Sequence, residues 1–439
     1  MQWILIQPDY EYNVAFPLTL AHVATYLKTR MEQAVFCFDL NLQSFDSMIH
    51  DIQAKNLKPD VFGISTTAIT RQRTINICQK VKELYPDSRT VVGGAAAQTE
   101  YRQLLQNREV DFCFINDIEQ TNTDPGALTT PRDLRKLPGT AFRHENQTVT
   151  NGTVPLTELD SFPFPDRKLD FIHIENYRPP DVLKEQHPAT LVTSRGCPHN
   201  CTYCASARIS GRKVVWRSAA SVMEELDYLR GLGYNSFVFE DYEFLFNMPR
   251  AELICENLKN HSSRWILKTR VEKINADTAR MLAESGCLVV YIGVETLTRE
   301  AIEKAKKATV NVESVKKAVH HLKTNGIRVC ASIQFGLPGD TEDQFIEGTV
   351  GFLGSVLDSD QDMVQLHFTT LFPGTELYDQ YFPQASYVNI HNHFAGVIAH
   401  GFEGFLMPQL SEDVVRQVYS RAQKILGRLL TEKAIWFSH

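Results

Sequence analysis

Several things are scarce or missing in this sequence, and each absence excludes something. No positively charged segment precedes the apolar run in MQWILIQPDY, so no secretory signal is expected. No stretch approaches the ~20 apolar residues that cross a bilayer, so no membrane span is expected. Basic residues are not in excess: 45 Lys and Arg against 52 Asp and Glu give a formal charge of −7, which advertises no face for nucleic acid. Low-complexity tracts are absent. A composition of 43% hydrophobic and 22% charged residues excludes a disordered or fibrous chain. Nine cysteines, an odd count spread over 439 residues, argue against a disulfide scaffold and for a reducing cytoplasm.

What is present begins with an alternation. Apolar runs at Trp3–Ile6, Val35–Leu40, Val61–Ser65, Thr90–Gly94 and Asp111–Ile115 read as buried strands. Helical spacing over Phe16–Arg30 and Thr74–Leu84 separates some of them. Strands alternating with helices predict an α/β fold, here a doubly wound, Rossmann-like parallel sheet over residues 1–135. Ligands of such sheets sit beyond the carboxyl ends of the strands. The small and polar residues there are Ser65, Thr66, Thr67, Gly93 and Gly94, which allow close backbone approach and hydrogen bonding; ordinary turns are the alternative.

Residues 136–185 hold Pro138, Pro155, Pro163, Pro165, Pro179 and Pro180 and read as a linker, with a small hairpin expected around Asn151-Gly152. The alternation resumes at Ala189–Ser194 and continues through Ser236–Glu240, Trp265–Thr269, Leu288–Gly293, Arg328–Gly336 and Met363–Phe368, with helices between. Ser221 and Glu224 read as a capping box opening the first of these helices. Six β/α units fall short of the ~250 residues of a complete eight-unit barrel, so residues 186–375 predict a partial (β/α)6 TIM-type barrel. Residues 376–439 read as a small helical C-terminal tail, with its helix from Ser411 to about Leu430.

Three of the nine cysteines stand together, Cys197, Cys201 and Cys204, in GCPHNCTYC. They follow the first barrel strand, in the loop at its carboxyl end, where barrel active sites lie. Three thiolates within eight residues make a soft-metal site. Structural zinc takes four protein ligands, and no fourth is spaced for it; His199 lies too close to two of the cysteines to complete a tetrahedron. A vacant fourth position suits a [4Fe–4S] cluster with one open iron. The other six, Cys37, Cys78, Cys113, Cys255, Cys287 and Cys330, are dispersed on strands and helices and read as small buried hydrophobes.

The C-x3-C-x2-C spacing after the first strand of a partial barrel resembles the radical S-adenosylmethionine superfamily. The resemblance implies that the open iron chelates S-adenosylmethionine and that reductive cleavage gives methionine and a 5′-deoxyadenosyl radical, which abstracts a substrate hydrogen. Tyr203, just before the third cysteine, would then contact adenine. Glu240 and Asp241, ending the second barrel strand, would hold the methionine amino end. Glu295 in GVET resembles a GVES pattern, and GLPGDT, Gly336–Thr341, resembles GLPGET; Ser332 and Gln334 on the strand before it join the cofactor-binding candidates. Arg212, Lys213 and Arg217 resemble a basic run after the cluster loop. Arg270, at another strand end, is a candidate carboxylate-binding or substrate group, and it and Glu295 are the candidate catalytic residues.

The N-terminal segments ILIQP, PLTLAHVATYL, PDVFGIS and VVGG, with PGTAFR and LDSFPFPDR before the cluster, are similar to the branch of that superfamily with a cobalamin-binding domain. The resemblance implies cobalamin at the carboxyl edge of the first sheet, near Ser65, Thr66, Thr67, Gly93 and Gly94. No D-x-H-x-x-G motif offers a lower axial histidine, GGAAAQ replaces the branch's glycine-proline-histidine pattern, and INDIEQTNTDPGALTTP replaces its G-E-G-E turn. The expected activity is a cobalamin-dependent radical methyltransferase acting on a small metabolite or natural product. The alternative is a cobalamin-independent radical dehydratase, rearrangement or cyclisation enzyme. The expected partners are a small-molecule substrate and a flavodoxin- or ferredoxin-type electron donor, with no nucleic acid. His391, His393 and His400 read as loop residues, with substrate contact as the sharper possibility.

Overall fold

The computed structural model describes residues 1–9, 16–121, 130–169, 176–177, 183, 188–358, 360–382, 386–389 and 403–430. His391, His393 and His400 lie outside them. The chain divides into two compact units, Met1–Arg178 and Pro179–Phe437.

In the first unit the strands are β1 (Gln2–Gln7), β2 (Ala34–Asp39), β3 (Val61–Ser65), β4 (Arg89–Gly93) and β5 (Phe112–Phe114). They run parallel, in the spatial order β2-β1-β3-β4-β5, the doubly wound topology. Their apolar runs are continuous because both faces are covered: Ile4, Ile6, Phe38, Phe62, Ile64, Val92 and Cys113 pack in one cluster with Ile75, Cys78 and Val81. The helices are α1 (Leu18–Thr29), α2 (Phe45–Ala54), α3 (Arg71–Leu84) and α4 (Ala95–Leu104).

The stretch expected as a linker does more than connect. It supplies β6 (Thr140–His144) and β7 (Gln147–Thr150), which add antiparallel to β5 and make the sheet seven-stranded. The hairpin turns at Glu145-Asn146, both at positive φ (48° and 63°), and not at Asn151-Gly152. Positive φ at both central residues suits the twist of a two-residue hairpin. Asn151 instead donates from its amide to the carbonyls of Arg135 and Leu137, 2.6 and 2.9 Å away, and so holds the chain after β7.

The second unit holds a six-stranded parallel sheet, β8 (Ala189–Leu191), β11 (Ser236–Phe239), β12 (Arg264–Arg270), β13 (Cys287–Glu295), β14 (Arg328–Phe335) and β15 (Met363–Phe368). These strands are neighbours in chain order, the arrangement of a partial barrel. A short antiparallel pair, β9 (Ser194–Arg195) with β10 (Val215–Trp216), brackets the loop between them. The helices are α5 (Ser206–Ile209), α6 (Ala219–Gly231), α7 (Met248–Asn260), α8 (Ala276–Glu284), α9 (Arg299–Lys304) and α10 (Val312–Thr324). Ser218, not Ser221, caps α6 and accepts from the Ser221 amide at 3.1 Å. After β14 come α11 (Glu342–Gln344), a π-helical stretch Phe345–Val350 and α12 (Gly351–Val356).

The tail is not purely helical. After α13 (Glu376–Tyr381) comes an antiparallel pair, β16 (Ser386–Asn389) with β17 (Glu403–Leu406), and then α14 (Glu412–Leu426), capped by Ser411. The Met407 amide donates to the Thr369 carbonyl at 3.2 Å, and Leu430 bridges Val364, so the tail lies against the outer edge of β15. Among the described residues no helix is long and apolar enough to cross a membrane.

Candidate active site

The cysteine loop is pinned by its backbone. Gly196 has φ +95°, and a Cβ there would stand 2.2 Å from the Lys213 carbonyl oxygen, so only glycine fits. The Cys197 amide donates to the Gly211 carbonyl at 3.0 Å, and the Thr202 carbonyl accepts from the Leu377 amide at 3.1 Å. Asn200 accepts from Arg212 at 2.6 Å. Lys213 supplies the carbonyl over Gly196, and Arg217 ion-pairs with buried Glu225, so this basic run builds the loop's frame. The three cysteines are free, half-buried at Cys197 and Cys201 and exposed at Cys204, whereas the other six are all buried.

Desolvation by the surrounding protein pushes the Cys197 thiol up, and the Cys204 thiol too although part of that residue is open to solvent, and the neighbouring thiolates push further. Three thiols thus stand within electrostatic reach of one another, and Arg270 lies against Cys201. Burial works against the Arg270 cation, but its bond to Glu272 at 2.5 Å and the nearby thiolate outweigh it and raise its pKa. Burial lifts the Tyr203 hydroxyl well up, with Glu295 and Cys201 adding to the effect. Burial, and next the Arg270 cation, lower the His199 pKa. Among the described residues no three His, Cys, Asp or Glu side chains close around a common ion position. The donor set nonetheless suits a cluster with an open iron: three free thiols on one pinned loop, and a cation beside them to offset thiolate charge.

Buried charge lines the carboxyl ends of the neighbouring strands. Glu295 ends β13 at φ +62°, next to an irregularity in its pairing with β14. Its Oε1 accepts from Lys307 Nζ at 2.7 Å, both side chains nearly buried. A Cβ on Gly293 would meet Glu295 Oε1 and Lys307 Nζ at 2.8 Å each, so the missing side chain makes room for the pair. Positive φ strains a glutamate and marks a position held by its surroundings. Glu240 follows β11 and stands 3.5 Å from Lys268 on β12; burial lowers the Lys268 pKa against the pull of Glu240. Asp241 accepts from the Thr193 and Ser194 amides at 2.6 and 2.8 Å and from the Thr193 hydroxyl. Its carboxylate therefore fixes the chain that enters the cysteine loop. Ser332 and Gln334 are half-buried on β14, and Gln334 donates to Thr369 at 2.9 Å.

Three residues of this site escaped the sequence reading. Lys307 holds Glu295, and its only signal was its place twelve residues beyond it. Glu243 accepts from the Thr269 hydroxyl and from the Arg270 amide at 2.9 Å, and so fixes the backbone of Arg270. Asp340, in GLPGDT, accepts from the Thr296 hydroxyl at 2.9 Å and joins the loops after β13 and β14.

At the carboxyl edge of the first unit's sheet, Gly93 has nothing within 4 Å of a built Cβ, and Ala95, Ala96 and Ala97 follow, leaving a shelf without long side chains. Gly94 has φ +92°, and a Cβ would stand 2.6 Å from the Thr66 carbonyl oxygen. Thr66 is buried, its backbone bonded to Gly93 and Ala96. Thr67 and Thr70 bond to each other, which leaves half-buried Ser65 and the glycines as the open edge. Glu100, 1% exposed on α4, pairs with Arg71, and its Oε1 has no described partner. A flat shelf of this kind fits a broad macrocycle, which needs area close to the backbone.

Comparison with known proteins follows this geometry. Residues 191–347 match the radical SAM superfamily, and residues 12–124 match the B12 binding domain. An uncharacterized methyltransferase of Pyrococcus horikoshii is 26% identical over 374 residues, 83% of this chain and 78% of the relative. The anaerobic magnesium-protoporphyrin IX monomethyl ester cyclase of Rubrivivax gelatinosus is 26% identical over 405 residues, 87% of this chain and 70% of the relative. In fold, the chain is similar to the radical S-adenosylmethionine methyltransferase TsrM from Kitasatospora setae, a structure with cobalamin and a [4Fe-4S] cluster bound: TM-score 0.76 at 17% identity, covering 96% of this chain and 90% of that one. A pinned three-cysteine loop at the mouth of a six-stranded partial barrel, and a doubly wound sheet with a bare glycine edge, agree with these matches: the chain belongs to the radical S-adenosylmethionine enzymes of the branch with an N-terminal B12-binding domain.

Proposed function

We propose that the protein is a cobalamin-dependent radical S-adenosylmethionine methyltransferase acting on a small molecule. The observation that carries the reading is the coexistence of three free thiols on a rigid loop with the side-chain-free edge at Gly93 and Gly94. Cys197, Cys201 and Cys204 would hold the [4Fe–4S] cluster. When bound, the cluster supplies an electron for cleaving the S-adenosylmethionine sulfonium, and cobalamin supplies a methyl carrier.

The chain's own residues do the positioning. Arg270 offsets negative charge at the cysteine loop, and Glu243 fixes the backbone from which it projects. Glu295, oriented by Lys307, and Glu240, facing Lys268, offer carboxylates to an ammonium group. Asp241 acts one step back, on the loop backbone. Tyr203, Ser332 and Gln334 provide aromatic and hydrogen-bonding surface for a nucleoside. Ser65, Thr66, Thr67, Gly93 and Gly94 form the corrinoid edge, Thr66 through its backbone. An external flavodoxin- or ferredoxin-type donor in a reducing cytoplasm would deliver the electron, because the free thiols must stay reduced to bind iron.

Anaerobic purification with cobalamin present should give both a cluster band and a corrinoid band. A cluster band alone would sink methyl transfer and favour the second reading, a cobalamin-independent radical enzyme. The replacement of the branch's G-E-G-E turn by INDIEQTNTDPGALTTP and of its glycine-proline-histidine pattern by GGAAAQ favours that reading. Cys201→Ala should abolish 5′-deoxyadenosine formation; continued formation would refute the cluster assignment.

A further inference from the structure

The sequence marks β15 as a strand but offers no functional candidate on it, yet its register places polar side chains on the inner face of the barrel. Val364, Leu366 and Phe368 are buried against the outer layer, while Gln365 is half-buried and His367 exposed. Alternation puts the two polar residues on the opposite face, next to their register partners on β14: Ser332 opposite Gln365, Gln334 opposite His367. The core that plugs the barrel, Val238, Ile266, Val289, Tyr291 and Cys330 with Met363 packed on it, lies lower on the same inner face. Gln365 and His367 are therefore the next two steps up β15, above the plug. His367 is exposed at the carboxyl end of β15, and desolvation by the surrounding protein lowers its pKa. It feels the charge of Glu295, as do Tyr203 and Cys204, so all four border one region.

The charges around this region are already matched. Among the described residues, Lys268 faces Glu240, Arg270 is bonded to Glu272, and Lys307 to Glu295. None of Lys268, Arg270 and Lys307 stands without a carboxylate to receive an anionic substrate group. An added carboxylate beside His367 would be repelled by Glu295, a cost that a neutral group avoids.

The geometry points to His367 and Gln365 as substrate-binding residues that receive a neutral, hydrogen-bonding part of the substrate, an amide, lactam or hydroxyl with an N–H or O–H to give. This rests on the proposed radical reaction at the same site, and deepens it by naming the substrate's chemistry. The His367 imidazole accepts the proton-bearing group, and the Gln365 amide offers both a donor and an acceptor.

The test uses wild-type protein with its cluster reconstituted and two probes of equal size, benzamide and benzoate. Carbethoxylation of His367 by diethyl pyrocarbonate is followed by mass spectrometry. Benzamide should slow the labelling several-fold, benzoate and S-adenosylmethionine alone should leave it unchanged, and the saturation-transfer signal of benzamide should fall several-fold in His367→Gln. Equal protection by benzoate, or none by benzamide, overturns the neutral-group assignment. Protection by S-adenosylmethionine alone overturns it too, because His367 is then a cofactor contact. If His367→Gln does not fold, the wild-type labelling decides. If the protein holds a cluster but forms no 5′-deoxyadenosine, the radical reading fails, and the labelling still reports on the pocket independently.

Discussion

Both sheets have a parallel core, both bury continuous apolar strands, and both leave their candidate functional residues at the carboxyl ends, but they furnish those ends differently. The edge of Met1–Arg178 is made of Gly93, Gly94, Ser65 and Thr67, with Glu100 as its buried charge. The edge of Pro179–Phe437 gathers Glu240, Asp241, Glu243, Lys268, Glu295 and Lys307, most of them buried. A broad macrocycle is held by shape, so what matters is which side chains are missing. A small zwitterionic cofactor is held by charge at fixed points, so what matters is which side chains are paired. Substitutions in the two edges should therefore fail in opposite ways: adding atoms harms the first, and removing a charge harms the second.

The largest effect is expected at Lys307. Replacing it by Met leaves Glu295 nearly buried without its partner, and breaking such a pair costs about 3–5 kcal/mol. Chemical denaturation of the full chain should show a lower midpoint for the transition of the second unit. Adding Glu295→Gln should restore a large part of the loss. A single mutant as stable as wild type would mean that Glu295 is solvated and that the contrast between the edges is false.

Gly94→Ala comes next. It forces a side chain to φ +92° and puts Cβ 2.6 Å from the Thr66 carbonyl oxygen. About 1–3 kcal/mol is expected from backbone strain, with more if the β3 and β4 ends must separate. The loss should appear in the transition of the first unit, with the iron content of the second unchanged.

How much of this was legible follows the same contrast. Strands announce themselves by composition: Val61–Ser65 and Met363–Phe368 stand where the apolar runs put them. The three cysteines were legible because their spacing alone defines a donor set. Helix α4 was not, because AAAQTEYRQL shows no strong apolar stripe and is kinked at Glu100. A hairpin was legible in the Pro-rich stretch but was placed at Asn151-Gly152, because β6 shows no alternation to mark it: Thr140, Ala141 and Phe142 are all buried, so both of its faces are covered there. Lys307, Glu243 and Gln365 were not legible at all. A charged or amide side chain at a strand end or in a loop gives no signal until the fold shows whom it faces. Asp241 was noticed for its place, but its Oδ1 accepts from the Thr193 and Ser194 amides and its Oδ2 from the Thr193 hydroxyl, on the chain that leads into the cysteine loop, a role that spacing cannot distinguish from ligand binding.

Gly93→Val separates shape from stability. The new side chain enters open space, so stability should stay within about 0.5 kcal/mol of wild type. Corrinoid retention, read from the visible spectrum after gel filtration, should be lost, while 5′-deoxyadenosine formation continues. Retained corrinoid would move the cofactor away from this edge.

The smallest effect is a pH slope. Burial pushes the Asp340 carboxyl up to about 6, against hydrogen bonds from Thr296 and the Leu337 amide that favour its charge. The folded protein then holds this proton more tightly than the unfolded chain, whose aspartates titrate near 3.9. Between those values the native state carries more protons, so the contribution of Asp340 to stability falls as pH rises from about 4 to 6 and is level above that. Asp340→Asn cannot titrate and should lose this part of the slope, which appears as a difference between the melting temperatures of the two proteins that changes across the window and stays constant at higher pH. Burial raises the Glu100 carboxyl in the same direction in the other unit, but Glu100 is present in both proteins and cancels from the difference. A difference that does not change across the window would show that Asp340 is solvated, and that the loops after β13 and β14 are not tied through a buried carboxyl.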